Sequence, residues 1–437
     1  MHSRNIYIVE PDFKKLAEEF EAFKPFVKTT SQGRSFIDFK DPKAVKQLCV
    51  CLMRKDFNID IDFPLDTLCP AVPNRLNYIL WLEDLLNDTL TLGEKKNEIR
   101  GIDIGVGASC IYPLLGCAQN QNWTFLGTEI DARSVEYALK NIKSNNLQDR
   151  ISIKYNEDPN KIFLIEDNQI HYAFSMCNPP FYSSQEEVDE GLTNKQSKPY
   201  AVCTGSENEM ITQGGELSFI KTMIDESLHL KKRIRWYTSM IGLKSTIRPL
   251  IRYLTAKGIS NHFVTSFTQG KTTRWGIAWS FYTDRPITAY MVEEYSTLNK
   301  FEIELPKKRD DILEDTIAIL KDLEIEYECP SSTGKDNETI LRCCVDRNTW
   351  SRAARRQRKR QKLDRDTTDS QDKNIFDEPV IFQIQIRSSS TAAINSTVFY
   401  IVWTSGQDRE IFISLWSHLK KRIEEQCGFK RGTHYKN

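Results

Sequence analysis

An α/β fold is predicted for the middle of this 437-residue chain, with a helical region before it and a smaller α+β region after it. Three observations predict it. Short apolar strands alternate with helices from Arg100 to about Thr283. A glycine-rich turn joins the first of those strands to the first helix. The composition, 40% hydrophobic and 27% charged, is that of a globular chain. At roughly 150 residues per domain, the length suits two to three domains. The composition shifts place them at 1–95, 96–285 and 286–437.

In the first region, Phe13-Lys-Lys-Leu-Ala-Glu-Glu-Phe20 has apolar residues at helical spacing. Asp41-Pro42 opens a second helix, with proline in the first turn where its missing N–H costs little. A third helix is expected from Asn74 to Leu86. The middle region begins with the strand Gly101-Ile-Asp-Ile-Gly105, then Trp123 to Glu129, a helix over Ser134–Asn145, and strands at Ile151–Tyr155 and His171–Cys177. Helix Leu217–Leu230, strand Arg233–Met240, helix Thr246–Lys257 and strands Val264–Phe267 and Trp275–Phe281 complete it. Near-continuous apolar strands of this kind suit a parallel sheet covered on both faces. The last region carries a helix over Leu313–Leu323 and a strand over Thr339–Cys344. Strands at Pro379–Ile386 and Thr397–Trp403 and an amphipathic helix over Ile411–Gln426 follow. A basic, polar insertion at about 352–377 interrupts this region, and its acidic end reads as disordered.

Several function classes drop out. Sixty basic residues balance sixty acidic ones, so only local clusters bear on partners. No run of eighteen apolar residues exists, and the opening decapeptide lacks a secretory pattern. The eleven cysteines are scattered without a C-x-x-C pair, so no metal site is expected and reduced thiols are. Phe412 and Trp416 on the last helix are expected in its core.

The loop Gly105-Val-Gly107-Ala-Ser109-Cys110 follows a strand and opens a helix. Glycines permit a tight turn, and a helix N-terminus offers free N–H groups. Glu129 ends the next strand, where a carboxylate accepts from ribose hydroxyls. Cys110 stands where a dinucleotide fingerprint has its third glycine. Asp103, ahead of the first glycine, suits an amine-bearing cofactor, which favours S-adenosylmethionine. The most informative motif is Asn178-Pro179-Pro180-Phe181 at the end of a strand. The prolines stiffen the loop. The Asn178 amide oxygen and the Pro179 carbonyl are two acceptors for one –NH₂ group, and Phe181 is a ring for stacking on a base.

With these residues in place, the sequence resembles the methyltransferase-like protein 16 family, adenine-N6 methyltransferases of U6 snRNA with a Rossmann-like class I methyltransferase core. The likeness covers residues 1 to 283. Besides the two motifs it rests on Asn74-Arg-Leu-Asn-Tyr-Ile79, Gly101 to Gly116, Gly214-Gly-Glu-Leu217, Leu230 to Tyr237 and Arg274 to Phe281. It implies a helical RNA-binding module ahead of the core and S-adenosylmethionine held by Arg75, Gly105, Ser109, Glu129 and Asn178. It also implies catalysis by Asn178 to Phe181 on a splicing RNA with an ACAGA-type context. The sequence departs from the family near Asn160-Lys161, a further cofactor contact in relatives, and between Tyr182 and Thr212, where only Lys195 and Lys198 remain of a basic run.

The RNA contacts expected are Arg4, Arg34, Lys40, Lys43 and Lys46 in the first region, Lys271 and Arg274 beside the last strands, and Arg355, Arg356, Arg358, Lys359 and Arg360 in the insertion. That basic cluster also reads as a nuclear-import signal, so a nuclear location is expected, with the cytoplasm as the alternative; the oligomeric state expected is a monomer. The element order of the last region resembles the U6-binding region of animal relatives. Two other functions fit the motifs: a glutamine-N5 protein methyltransferase, which uses Asn-Pro-Pro-aromatic chemistry, and a non-catalytic RNA-binding factor that keeps the fold.

Overall fold

The structure is a computed structural model. It describes all residues except 168, 188–206, 270–271, 296–298, 330–337, 355, 357–374, 390–395, 407 and 429–437. The chain forms two compact units. One is built on Met1–Tyr282 with the stretch that begins at Thr288, and the other on Thr283–Ile287 and the residues after 298.

The first unit opens with helix α1 (Phe13–Glu19), capped by the Asp12 carboxylate on the Lys14 and Lys15 amides. Two three-residue strands, β1 (Val27–Thr29) and β2 (Ser35–Ile37), pair antiparallel. The N-terminal region is therefore not wholly helical as its sequence predicts: three-residue strands are too short to show a period. Helices α2 (Pro42–Phe57) and α3 (Val72–Thr89) carry proline in their first turns. A short α4 (Leu92–Lys96) opens with a Thr91–Glu94 capping box.

Next come β3 (Ile99–Ile104), α5 (Ile111–Gln119), β4 (Trp123–Glu129), α6 (Ala132–Ser144), β5 (Ile151–Tyr155) and β6 (Tyr172–Cys177). After the short α7 (Glu207–Met210) follow α8 (Gly215–Leu230), β7 (Ile234–Ile241), α9 (Lys244–Ala256), β8 (Asn261–Gln269) and β9 (Thr272–Ser280). The seven strands order as β5-β4-β3-β6-β7-β9-β8. The first five pair in parallel, whereas β9 runs antiparallel to both β7 and β8. The sheet is thus mixed, which corrects the wholly parallel arrangement expected from alternation.

Helices cover both sheet faces. Along β7, Trp236 joins the core shared with α3 and α5, and its neighbour Tyr237 joins the core shared with α8 and α9. This is period-two alternation with both faces apolar. Leu76, Ile79 and Leu82 of α3 lie in the same core as Phe125 and Phe174, so the N-terminal helices and the sheet share one interior.

The second unit is a five-stranded antiparallel sheet in the order β10-β14-β13-β12-β11. Its strands are β10 (Lys300–Leu305), β11 (Glu326–Glu328), β12 (Glu338–Arg347), β13 (Ile375–Ser388) and β14 (Thr397–Ser405). The core packs these strands against α10 (Arg309–Asp322) and α11 (Arg409–Gln426). Phe412 and Trp416 are buried there as expected: Trp416 stacks on Phe301 at 5.7 Å, and Phe412 on Trp403 at 5.6 Å. Most of the basic insertion lies outside the described residues, and Arg356 is exposed. No described helix is long and apolar enough to cross a membrane.

Candidate active site

Strand order places the site. β3 lies between β4 and β6, and the chain leaves it first toward one side and later toward the other. A crevice forms at such a switch point, outside the carboxyl ends of the strands. The register pairs Ile104 with Thr128 on one side and with Cys177 on the other. Glu129, Gly105 and Asn178 are the residues that follow, so three strand ends deliver the two motifs and the carboxylate side by side.

The glycine loop needs its glycines. Gly105 and Gly107 take φ of +69° and +65°, a left-handed backbone that a side chain would strain. Glu129 is buried and organises this loop: its Oε2 accepts the Gly107 N–H at 2.8 Å, and its Oε1 accepts those of Ile130 and Asp131 at 2.9 and 3.1 Å. Burial raises the Glu129 carboxyl above its usual range, and the three backbone bonds oppose the rise.

Asp103 is 1% exposed, and neither carboxylate oxygen has a hydrogen-bond partner among the described residues. Burial pushes its carboxyl well above the usual range; the neighbouring Glu129 adds to the rise, and Arg75 opposes it. Arg75 reaches in from α3. Its Nη1 donates to the Tyr112 hydroxyl at 2.9 Å, while its buried Nε has no partner among the described residues. A buried acid and a half-buried guanidinium whose Nε is buried, each with unused hydrogen-bonding capacity among the described residues, fit a cofactor that ends in both an amine and a carboxylate.

A raised carboxyl binds its proton more tightly folded than unfolded. Stability therefore falls as pH rises above the unfolded value of about 4. Wild-type protein without cofactor should lose melting temperature from pH 5 to pH 8 more steeply than Asp103→Asn. Scanning calorimetry across that range checks this, and equal slopes would refute it.

Asn178 is half-buried, and its amide has no hydrogen-bond partner among the described residues. The strand end beneath it is fixed: the Tyr78 hydroxyl of α3 accepts the Cys177 N–H at 3.4 Å and meets the Thr238 hydroxyl at 2.8 Å. The Cys177 thiol is buried, and burial pushes its pKa well up, which disfavours the thiolate. Phe181 follows with the Arg274 guanidinium 5.9 Å from its ring centre. Thus Asn178, Gly105 and Glu129 come together at the strand ends, with the positive charge of Arg75 near enough to Asp103 to oppose the rise of its carboxyl.

Residues 1–283 match the family of RNA methyltransferases. The chain belongs to this family. Among its relatives, the mouse RNA N(6)-adenosine-methyltransferase METTL16 is 36% identical over 428 residues, 91% of this chain and 74% of that protein. The U6 small nuclear RNA (adenine-(43)-N(6))-methyltransferase of Schizosaccharomyces pombe is 37% identical over 75% of this chain and 84% of its own. The hMettl16 catalytic domain in complex with the MAT2A 3′UTR hairpin 1 superposes with a TM-score of 0.59 at 45% identity, covering 64% of this chain and 96% of that one. The N-terminal domain of human METTL16 in complex with SAH gives 0.54 at 43% identity, covering 64% and 99%.

Within this RNA methyltransferase the basic residues divide. Arg4 is engaged with its own chain: Nη1 pairs with Glu83 and Nη2 with Asp84, both at 2.6 Å, and Nη2 also donates to the Leu80 carbonyl. Lys46 likewise pairs with Asp62 at 2.7 Å and donates to the Phe63 carbonyl at 2.5 Å. Lys40 and Lys43 are exposed, and the Arg34 guanidinium stands 3.6 Å from Glu10 with both side chains mostly in solvent. Lys271, Lys195, Lys198, Arg355, Arg358, Lys359 and Arg360 lie outside the described residues.

One site neighbour has no signal in the sequence. Glu209 of α7 accepts the Leu68 N–H at 2.9 Å, and its other oxygen stands 3.6 Å from where a Cβ on Gly107 would sit. The same short segment bonds to Tyr182 through the Met210 carbonyl and the Thr212 N–H, each at 3.0 Å. It therefore touches both the glycine loop and the residue after Phe181.

Proposed function

We propose that this enzyme makes N6-methyladenosine in structured RNA, with U6 snRNA as its substrate and S-adenosylmethionine as its methyl donor. One observation carries the reading: the Asn178-Pro179-Pro180-Phe181 loop and the Gly105–Cys110 loop emerge from adjacent parallel strands, with Glu129 ending the strand on the other side. S-adenosylmethionine, when bound, supplies the electrophilic sulfonium methyl group. Glu129 accepts from its ribose hydroxyls and Arg75 faces its carboxylate. Gly105 and Ser109 line its path.

The Asn178 amide oxygen and the Pro179 carbonyl accept the two N–H bonds of the adenine amine. Two acceptors draw that nitrogen toward sp³ character and aim its lone pair. Positioning then does most of the work, and no strong base is needed. The Phe181 ring stacks on the adenine, which must leave any helical stack to reach it. Arg34, Lys40, Lys43, Lys271 and Arg274, with the basic insertion around Arg355, Arg356, Arg358, Lys359 and Arg360, contact the RNA backbone. The same insertion carries the chain to the nucleus, where it acts as a monomer. RNA binding by Arg4 and Lys46 would first require them to leave their carboxylate partners.

The test is methyl transfer from labelled S-adenosylmethionine to U6 snRNA, with nucleoside mass spectrometry of the product. N6-methyladenosine is the expected product. Tight binding of U6 without product would leave an RNA-binding factor. Absence of both, with methylation of a release factor, would mark a glutamine-N5 enzyme.

A further inference from the structure

Gly214-Gly215-Glu216-Leu217 has no part in the chemistry above, yet its geometry bears on Phe181. Gly214 and Gly215 hold left-handed backbone, φ +75° and +65°, where α8 begins. The turn sets Gly215 against the chain just past the Asn-Pro-Pro-Phe motif. A side chain there would stand 3.6 Å from the Phe181 carbonyl oxygen and 3.4 Å from the Ser183 amide. Glu216, 2% exposed, turns its carboxylate to the end of β7. Its Oε2 accepts the Gly242 N–H, and its Oε1 lies 3.4 Å from the Leu243 N–H.

Gly242 is where the Phe181 ring rests. A Cβ on Gly242 would stand 2.6 Å from the ring Cδ1 and 2.9 Å from Cε1. No side chain fits between that backbone and the ring. The geometry points to Glu216 and Gly242 as positioning residues for the Phe181 platform. Glu216 pins the Gly242 backbone, and the bare backbone fixes the ring on which the adenine stacks. This rests on Phe181 being the base-stacking residue.

A buried carboxylate is a costly way to tie two segments together, because it gives up its hydration. An apolar side chain would pack α8 on the sheet at lower cost. What an acceptor does, and an apolar group cannot, is hold residue 242 by its own N–H. Residue 242 has no side chain to be held by, since the ring occupies that space.

The test uses the full chain, U6 snRNA and S-adenosylmethionine. In Gly242→Ala the added methyl moves the ring by about 1 Å, a displacement that can cost about 10²-fold in kcat. Cofactor affinity by calorimetry should stay within about twofold, since no cofactor contact changes. Glu216→Gln keeps one acceptor oxygen for the Gly242 N–H and should hold kcat within a few-fold, whereas Glu216→Ala should fall as Gly242→Ala does. The deciding measurement repeats Gly242→Ala in a Phe181→Leu background. With the ring gone, the added methyl still meets Glu216 Oε2 at 3.1 Å but no longer displaces the platform, so its further effect should be much smaller than in wild type. Unchanged kcat in Gly242→Ala, or losses that multiply in the Phe181→Leu background, would overturn the inference. If Gly242→Ala does not fold, the Glu216 pair decides, and equal rates for Gln and Ala overturn it. A wild-type protein that makes no N6-methyladenosine would refute instead the reading of Phe181.

Discussion

Asn178→Ala is expected to lower kcat for methyl transfer by about 10²–10³-fold, the range for removing one preorganised hydrogen-bonding group at a reacting centre. The structure makes this substitution a clean one. The Asn178 amide has no hydrogen-bond partner among the described residues, so its removal breaks no hydrogen bond among them. Pro179 is buried next to it, and the Tyr78 hydroxyl still accepts the Cys177 N–H, so the loop keeps its place. Melting temperature should therefore match wild type, and affinity for an RNA hairpin should stay within a few-fold. The Pro179 carbonyl remains as a single acceptor, which binds the amine without fixing the direction of its lone pair. Single-turnover rates with saturating RNA separate the chemistry from binding. If RNA affinity fell as far as turnover, Asn178 would be an RNA-binding residue and the assigned role would fail.

What the sequence reveals of this site follows from contiguity. Asn178 to Phe181 and Gly105 to Cys110 are unbroken runs at strand ends, and Glu129 closes a strand of plain apolar pattern. Each is legible because a loop at the carboxyl end of a parallel strand has one place to go. Arg75 is different: it arrives on α3, and only the resemblance to a family points to it. That Asp103 is an acid is visible in the sequence, but that both its oxygens lack partners among the described residues is a property of packing. Charge alone does not reveal the ion pairs of Arg4, because the carboxylates that engage it lie 79 and 80 residues away in the chain. The direction of β8 and β9 had a local signal. Gln269 and Thr272 pair across a two-residue link of Gly270 and Lys271, and glycine in such a link marks a hairpin. β10 is legible from period-two alternation and stands as an omission: Phe301, Ile303 and Leu305 face the core, and Lys300, Glu302 and Glu304 do not. β11, with three residues at a sheet edge, offers no pattern to read.

The largest expected loss of stability is at Phe174. Its ring is fully buried in the core under β3, β4 and β6, 4.9 Å from Trp123 and 5.7 Å edge-on from Phe125. It sits opposite Gly101 in the register, and a Cβ on Gly101 would run into the ring. Phe174→Ala should cost about 3–5 kcal/mol, since a hydrogen-bonded sheet cannot collapse to fill the space. The urea midpoint should fall without a change in slope, the mark of lost stability rather than altered compactness. Activity of the folded protein should survive in the cold, because Asn178 lies four residues on, about 13 Å along the strand. Gly101→Ala gives the complementary result. In wild type it overpacks the core and should cost about 1–3 kcal/mol. In the Phe174→Ala background the same methyl enters the cavity and should recover part of the loss. Opposite signs in the two backgrounds would establish that the ring and the bare backbone at Gly101 are one packing unit. Simple additivity would show that the cavity is filled from elsewhere, and that β3 and β6 are held together by other contacts.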